Sequence, residues 1–181
     1  MHRYAEGDDT AFSAVHRAVA DRLYAFLLRM SRSRSIADDL LQETFLRMHR
    51  ARGSFEAGAR VLPWCYAIAR NVCIDHARSR AVRKEASGDS EDAPEPPSPD
   101  ADAEAVAIGK ELAQRVERAL AKLPPNQREA FILLRYEGMS VHDAAMVLGA
   151  TEGAVKLRAF HAYEALRAAL GEQAPKKRGA S

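Results

Sequence analysis

The stretch of residues 84–104, KEASGDSEDAPEPPSPDADAE, sets the architecture of this chain. It is dense in Pro, Ser, Asp and Glu and has no apolar periodicity, so it has no face to bury and reads as a flexible linker. A single core cannot run through it, and the 181 residues are therefore expected to form two small lobes. The charges divide in the same way. Residues 1–80 hold 13 Lys+Arg against 9 Asp+Glu, residues 81–104 hold 2 against 8, and residues 105–181 hold 12 against 8. A net charge of only +2 thus conceals two lobes of +4 joined by a strap of −6. Basic lobes of this kind suit nucleic acid, although a modest surplus of cations is also common on ordinary surfaces.

Both lobes read as all helix. Much of the 47% hydrophobic content is alanine, which favours helices over strands. In the first lobe, Phe12, Val15, Val19, Leu23, Phe26, Leu27 and Met30 recur at helical spacing over residues 9–30. A second helix follows Ser35 as N-cap, with Asp38 completing an analogue of a capping box. Its apolar stripe is Ile36, Leu40, Leu41, Phe45 and Met48, and Gly53 ends it. Its other face carries Asp38, Asp39, Gln42, Glu43 and Arg47. A third helix starts near Pro63, a residue suited to a first turn, and runs through Trp64, Ile68, Val72 and Ala77 to about Arg80, with Arg70, Asn71, Asp75, Arg78 and Arg80 on its polar side.

The second lobe opens with a helix over about residues 102–120. A Pro-initiated helix follows, with Ala130, Phe131, Leu133 and Leu134 as its stripe and Gly138 as its stop. Ser140 and Asp143 then form a capping box, Gly149 ends a short helix, and Thr151 caps a longer one carrying Val155, Leu157, Phe160 and Leu166. Short helix, glycine turn, longer helix is the helix-turn-helix pattern. It requires a small residue where the helices cross (Ala145), a residue that tolerates the turn (Gly149) and a core anchor on the second helix (Val155). The start of that second helix would enter a major groove. It offers Thr151, Glu152, Gly153, Lys156 and Arg158: two cations for phosphates or guanine edges, and a glycine that permits close approach. The competing reading is an antiparallel helix pair with a solvated basic face.

A second candidate surface lies in the first lobe, where the loop SFEAGARVLPW leads into the third helix. Trp64, Tyr66, Arg70 and Asn71 have the chemistry to hold single-stranded DNA, by stacking, backbone pairing and base-edge readout. Trp64 serves equally well as core, and Tyr66 is ambiguous in the same way. Carboxylates repel phosphate, so the face with Asp39, Gln42 and Glu43 suits a protein partner, or simply solvent.

Other chemistry finds little support. There is no nucleophile elbow, phosphate loop or paired-acid motif, which argues against an enzyme. His16, His49, His76, His142 and His161 show no metal spacing and read as surface residues. Cys65 and Cys73 stand about 12 Å apart along one helix, too far for a disulfide, and read as structural thiols. No cofactor is expected. The start MHRYAEGDD lacks a signal-peptide pattern and no apolar run approaches a membrane span, which predicts a cytoplasmic chain with no membrane insertion.

Three segments in this order resemble bacterial RNA polymerase sigma factors of the sigma-70 family, extracytoplasmic-function type. ADDLLQETFLRMHR resembles the segment that binds core enzyme. LPWCYAIARNVCIDHARSR resembles the minus-ten helix, and LPPNQREAFILLRYEGMSVHDAAMVLGATEGAVKLR resembles the minus-thirty-five reader. The resemblance implies an all-α protein of two helical domains: region 2 over residues 1–80, a linker over 81–104, region 4 over 105–171, and a basic tail over 172–181. It implies that Asp39, Gln42 and Glu43 contact the clamp helices of the beta-prime subunit. It implies that Glu56, Ala57, Gly58, Ala59 and Arg60 belong to a loop that captures a flipped minus-ten base, with Asn71 lining its pocket and Trp64, Arg70 and Arg78 alongside. Thr151, Glu152, Gly153, Lys156 and Arg158 would face the minus-thirty-five duplex. Core polymerase (beta-prime and beta), promoter DNA and an anti-sigma factor are the implied partners, with no small-molecule substrate. The linker would thread toward the RNA exit path, where a plain solvated tether is the competing role. Leu157, between the basic pair, stands where the family usually has a small polar residue, and Asp143 where it usually has glutamate. The sequence His161-Ala162-Tyr163 stands where an Arg-Ala-Arg run is common.

Overall fold

The computed structural model describes residues 1–56, 58–87 and 105–171. The chain divides into two compact units between Pro97 and Ser98. Among the described residues every regular element is helical.

The first unit is a three-helix core with a short N-terminal brace. α1 (His2–Ala5) leads to a 3-10 turn at Asp9–Ala11, capped by the Asp8 carboxylate, which accepts from the Thr10 backbone N–H at 3.0 Å. α2 (Phe12–Ser31), α3 (Arg34–Ala51) and α4 (Val61–Ser87) pack against one another pairwise. Val15, Val19, Leu23, Phe26 and Leu27 of α2 are buried against Ala37, Leu40, Phe45 and Met48 of α3 and against Cys65, Tyr66, Ala69 and Val72 of α4. Each set recurs every three or four residues, which places it on one helical face. Tyr4 of α1 is fully buried, and its hydroxyl pairs with His49 Nδ1 at 2.9 Å.

Several sequence expectations shift here. The N-cap of α3 is Ser33, extended at φ −139°, with its hydroxyl accepting from the Ile36 N–H at 3.5 Å; Ser35 already lies inside the first turn. Ile36 and Leu41 are half-buried, while Ala37 and Thr44 complete the interior stripe. The Thr44 hydroxyl is satisfied by donating to the Leu40 carbonyl at 2.7 Å. Gly53 does not turn the chain left-handed: α3 runs into a 3-10 turn at Arg52–Ser54. α4 begins two residues before Pro63 and continues through Ser87, seven residues beyond the expected end. Ala81, Arg83, Lys84, Glu85 and Ala86 are good helix formers, and they carry the helix into the segment read as linker. The rest of that linker and the basic tail over 172–181 lie outside the described residues.

Tyr66 is fully buried, with its ring edge-on to Phe26 at 5.3 Å, so it is a core residue and not a base platform. Cys65 is buried beside it, and burial pushes its thiol up to about 12. The thiol therefore stays protonated near neutral pH and is a poor nucleophile. Maleimide labelling of the native protein is expected to stop at Cys73, with Cys65 reacting only in denaturant. Equal labelling rates at the two thiols would contradict this packing.

The second unit packs α5 (Ala105–Lys122), α6 (Pro125–Phe131) and α7 (Val141–Leu148) against α8 (Glu152–Leu170). α6 continues into a π-helical turn at Ile132–Tyr136, closed by the Glu137 N–H bonding the Ile132 carbonyl at 3.1 Å. Ala119 and Leu120 of α5 and Leu123 just after it meet Ala162 and Leu166 of α8, with Val116 and Phe131 packed on them. Leu157 and Phe160 of α8, expected in the apolar stripe, are each 57% exposed. Val155 and Leu166 of that stripe are buried as expected, and Ala162 completes the inner face of α8.

Candidate protein and nucleic-acid interfaces

α3 turns one side to the core and the other to solvent. Asp39 and Gln42 are exposed and Glu43 is half-buried. The Arg47 Nε donates to Glu43 at 2.7 Å, and its Nη1 donates to Asp75 of α4. Arg47 thus ties the acidic face of α3 to the polar face of α4, a link between residues 28 apart that the sequence did not reveal. These are partly exposed pairs, each worth at most about 1 kcal/mol, so they set orientation more than stability. Leu46, 52% exposed, extends the same face by one turn beyond Gln42 and Glu43.

Burial pushes the His76 imidazole below its ordinary range; Arg80 and Arg83 push the same way, and Asp39 opposes them. The folded unit therefore disfavours the charged imidazole. As pH falls below about 6.5, the unfolded chain takes up a proton that the folded one resists, and stability declines. Melting temperature followed from pH 7.5 to 5 is expected to fall less steeply in His76→Gln than in the parent. Superimposable profiles would remove His76 from the pH response.

The loop into α4 is built around a tight turn. The Ala59 N–H bonds the Glu56 carbonyl at 3.0 Å, and Gly58 sits at φ 88°, a left-handed backbone that glycine adopts without strain. Ala57 lies outside the described residues. Glu56, Gly58, Ala59 and Arg60 are exposed. Phe55 packs edge-on to Trp64 at 5.4 Å, which fastens the loop to the first turn of α4. Trp64 is half-buried and so combines packing with a partly open ring. Trp64, Asn71 and Arg78 recur at intervals of seven and fall on one side of α4, with Asn71 and Arg78 exposed. Arg70 is half-buried and lies about 100° around the helix from Asn71, on a separate flank.

The helix-turn-helix forms as its spacing requires. The Ser140 hydroxyl caps α7 by accepting from the Asp143 N–H at 3.1 Å, and it donates to the Asp143 carboxylate at 2.7 Å, which holds that side chain at the cap. Gly149 takes a left-handed φ of 58°, where a side chain would be strained, and the Ala150 N–H returns to the Ala145 carbonyl at 3.1 Å. The Thr151 hydroxyl caps α8 by accepting from Ala154 N–H at 3.2 Å. Ala145 is buried at the crossing and Val155 is fully buried. Thr151, Glu152, Gly153 and Lys156 are exposed. Arg158 is half-buried and lines an open cleft at the turn with His142, Met146, Thr151 and Glu152. One further contact went unforeseen: His142 Nδ1 lies 3.2 Å from the Glu152 carboxylate, joining the two helices across the turn.

Known proteins show the same plan. Residues 15–83 match the family model of sigma-70 region 2, and residues 113–166 match that of sigma-70 region 4. The RNA polymerase sigma factor CarQ of Myxococcus xanthus is 37% identical over 172 residues, spanning 95% of this chain and 96% of the relative. The ECF RNA polymerase sigma factor SigM of Mycobacterium tuberculosis is 36% identical over 171 residues, spanning 93% and 81%. Among solved structures, the complex of sigma factor RpoE with anti-sigma factor NepR from Bartonella quintana holds a chain that superposes with a TM-score of 0.76. The identity is 28%, over 90% of this chain and 98% of that one. The complex of CnrH with the cytosolic domain of CnrY gives a TM-score of 0.71 at 25% identity, covering 96% of each chain. Two helical units matching regions 2 and 4 in order, with near full-length relatives that are themselves sigma factors, place this chain in the sigma-70 family of RNA polymerase sigma factors, in its extracytoplasmic-function branch.

Proposed function

We propose that the chain is a promoter-specificity subunit that joins core RNA polymerase, opens selected promoters and catalyses nothing itself. The exposed acid-amide face of α3 carries this reading, because carboxylates that phosphate would repel suit a protein partner. Asp39 and Gln42 meet the polymerase clamp, and Glu43 is held ready by Arg47. The loop at residues 56–60 and the Trp64–Asn71–Arg78 side of α4 take the melted minus-ten strand. Extruding a base from the stack costs a few kcal/mol, which binding in the polymerase complex offsets. Thr151, Glu152, Gly153, Lys156 and Arg158 meet the minus-thirty-five duplex. Region 2 function is assigned to residues 1–87 and region 4 function to residues 105–171.

RpoE was solved with the anti-sigma factor NepR, and CnrH with the cytosolic domain of CnrY. By analogy, an anti-sigma factor is the partner that holds this chain inactive. Among the described residues no helix is long and apolar enough to cross a membrane. The proposed place of action is the cytoplasm, with the transcription machinery.

Run-off transcription with purified core enzyme on a genome-wide promoter pool tests the reading. Initiation that depends on this chain supports it, and none at any promoter overturns it. Within the C-terminal unit, Lys156→Ala is expected to reduce the slope of log affinity against log salt by about one unit, the signature of one lost phosphate contact. An unchanged slope would take Lys156 off the backbone.

A further inference from the structure

α8 exposes large apolar side chains where a solvated helix would carry polar ones. Leu157 and Phe160 are each 57% exposed and Tyr163 is 47% exposed. Their placement is ordered. Successive helical residues advance about 100°, so Gly153 and Phe160 lie within about 60° of Leu157. Val155, Ala162 and Leu166, the buried residues, lie on the opposite side. Lys156 and Arg158 stand about 100° to either side of Leu157. An apolar strip is thus flanked by cations, beginning one turn into the recognition helix. Gly153 clears the space N-terminal to it, since no heavy atom lies within 4 Å of where its Cβ would be. The Phe160 ring rests against His161, with centroids 5.8 Å apart, which limits its swing.

This arrangement fits a major groove better than a flat protein surface. The flanking cations match the phosphate walls, and the strip matches the floor. Leu and Phe form no hydrogen bonds through their side chains, so they cannot read donors and acceptors. The thymine C5-methyl is the apolar group on the major-groove edges of the four bases. From Gly153 to Phe160 the helix rises about 10 Å, roughly three base-pair steps. We propose that Leu157 and Phe160 read thymine methyl groups at neighbouring positions of the minus-thirty-five element. The inference rests on the assignment of α8 to that duplex and adds which base it prefers there, and by what contact.

Replacing thymine by uracil removes that methyl and leaves the pairing intact. The full chain bound to core polymerase is first used to enrich duplexes from a library randomised across the minus-thirty-five region. The enriched duplex is then remade with one deoxyuridine at each thymine in turn. Affinity is expected to fall about fourfold at one or two positions, the effect of one methyl no longer buried. Leu157→Ala or Phe160→Ala should erase the sensitivity at its own position and leave the other intact. Both side chains are exposed, so thermal melting of the variants should match the parent and show that folding is not the cause. Indifference to deoxyuridine at every thymine overturns the proposal, as does undiminished sensitivity in both variants. Either result would return the strip to a protein partner. If the library yields no enriched sequence, the minus-thirty-five assignment fails and this inference fails with it. Enrichment without a uracil effect sinks the thymine contact alone.

Discussion

Val155→Asp is expected to unfold the C-terminal unit and leave the N-terminal unit standing. Val155 is fully buried on the second turn of α8, between the helices of the helix-turn-helix. The substitution forfeits about 1.5–3 kcal/mol of apolar burial and places a carboxylate at a fully buried position. Burying such a group costs several kcal/mol more, or forces the site open to water. A unit of roughly 70 residues has about 3–10 kcal/mol to lose, so the change consumes most or all of it. The two units divide between Pro97 and Ser98 and have separate cores, so the damage should stay local. Amide spectra should show residues 105–171 collapsing to unfolded shifts while residues 1–87 keep theirs. Collapse of both sets, or of neither, would contradict this account of the core.

The second large effect concerns the solvent face of α3. Reversing its charge with Asp39→Arg and Gln42→Lys is expected to weaken binding to core polymerase on the order of 100-fold. Like charges brought together at an interface cost several kcal/mol, and 2.7 kcal/mol already corresponds to about 100-fold. Both positions are exposed and support no core contact, so the melting temperature should stay within a degree or two of the parent. Leu46→Ala, on the same face, should show a smaller loss from its apolar contact alone. Competition against a labelled parent chain for core enzyme gives the ratio. Equal competition by parent and double variant would clear Asp39 and Gln42 of any part in docking.

Much of this structure was legible where causes are local. The caps at Ser140, Gly149 and Thr151 depend on a side chain or a φ angle within a few residues, and each forms as read. So do the small crossing residue Ala145 and the anchor Val155. The errors arose where several residues offered the same local signal. Ser31, Ser33 and Ser35 alternate with arginine, and each is a plausible cap; the φ of −139° at Ser33 decides it. Trp64 and Tyr66 are both aromatic and lie about 200° apart on one helix, so only one can face inward. Packing against Phe26 selects Tyr66. On α8 the large residues Leu157 and Phe160 masked the true inner face, because Ala162 is small enough to be overlooked as core.

The long-range features left no sequence trace. Arg47 reaches Asp75 only because α3 and α4 pack together, and Tyr4 reaches His49 across 45 residues. The Phe55–Trp64 contact that holds the minus-ten loop is likewise a product of packing. For the sites, residue chemistry and order indicated which faces to examine. The folded chain added that Glu43 is already engaged by Arg47 and Glu152 by His142.

This chain is expected to work as part of a polymerase and not alone. Gel filtration of the full chain mixed with purified core RNA polymerase tests it most directly. The chain is expected to shift to the elution volume of core enzyme, one copy per core; Asp39→Arg with Gln42→Lys should return it to its own volume, while Lys156→Ala should not. A parent chain that elutes apart from core enzyme, yet binds promoter duplex tightly by itself, would contradict it and identify a free-standing helix-turn-helix regulator.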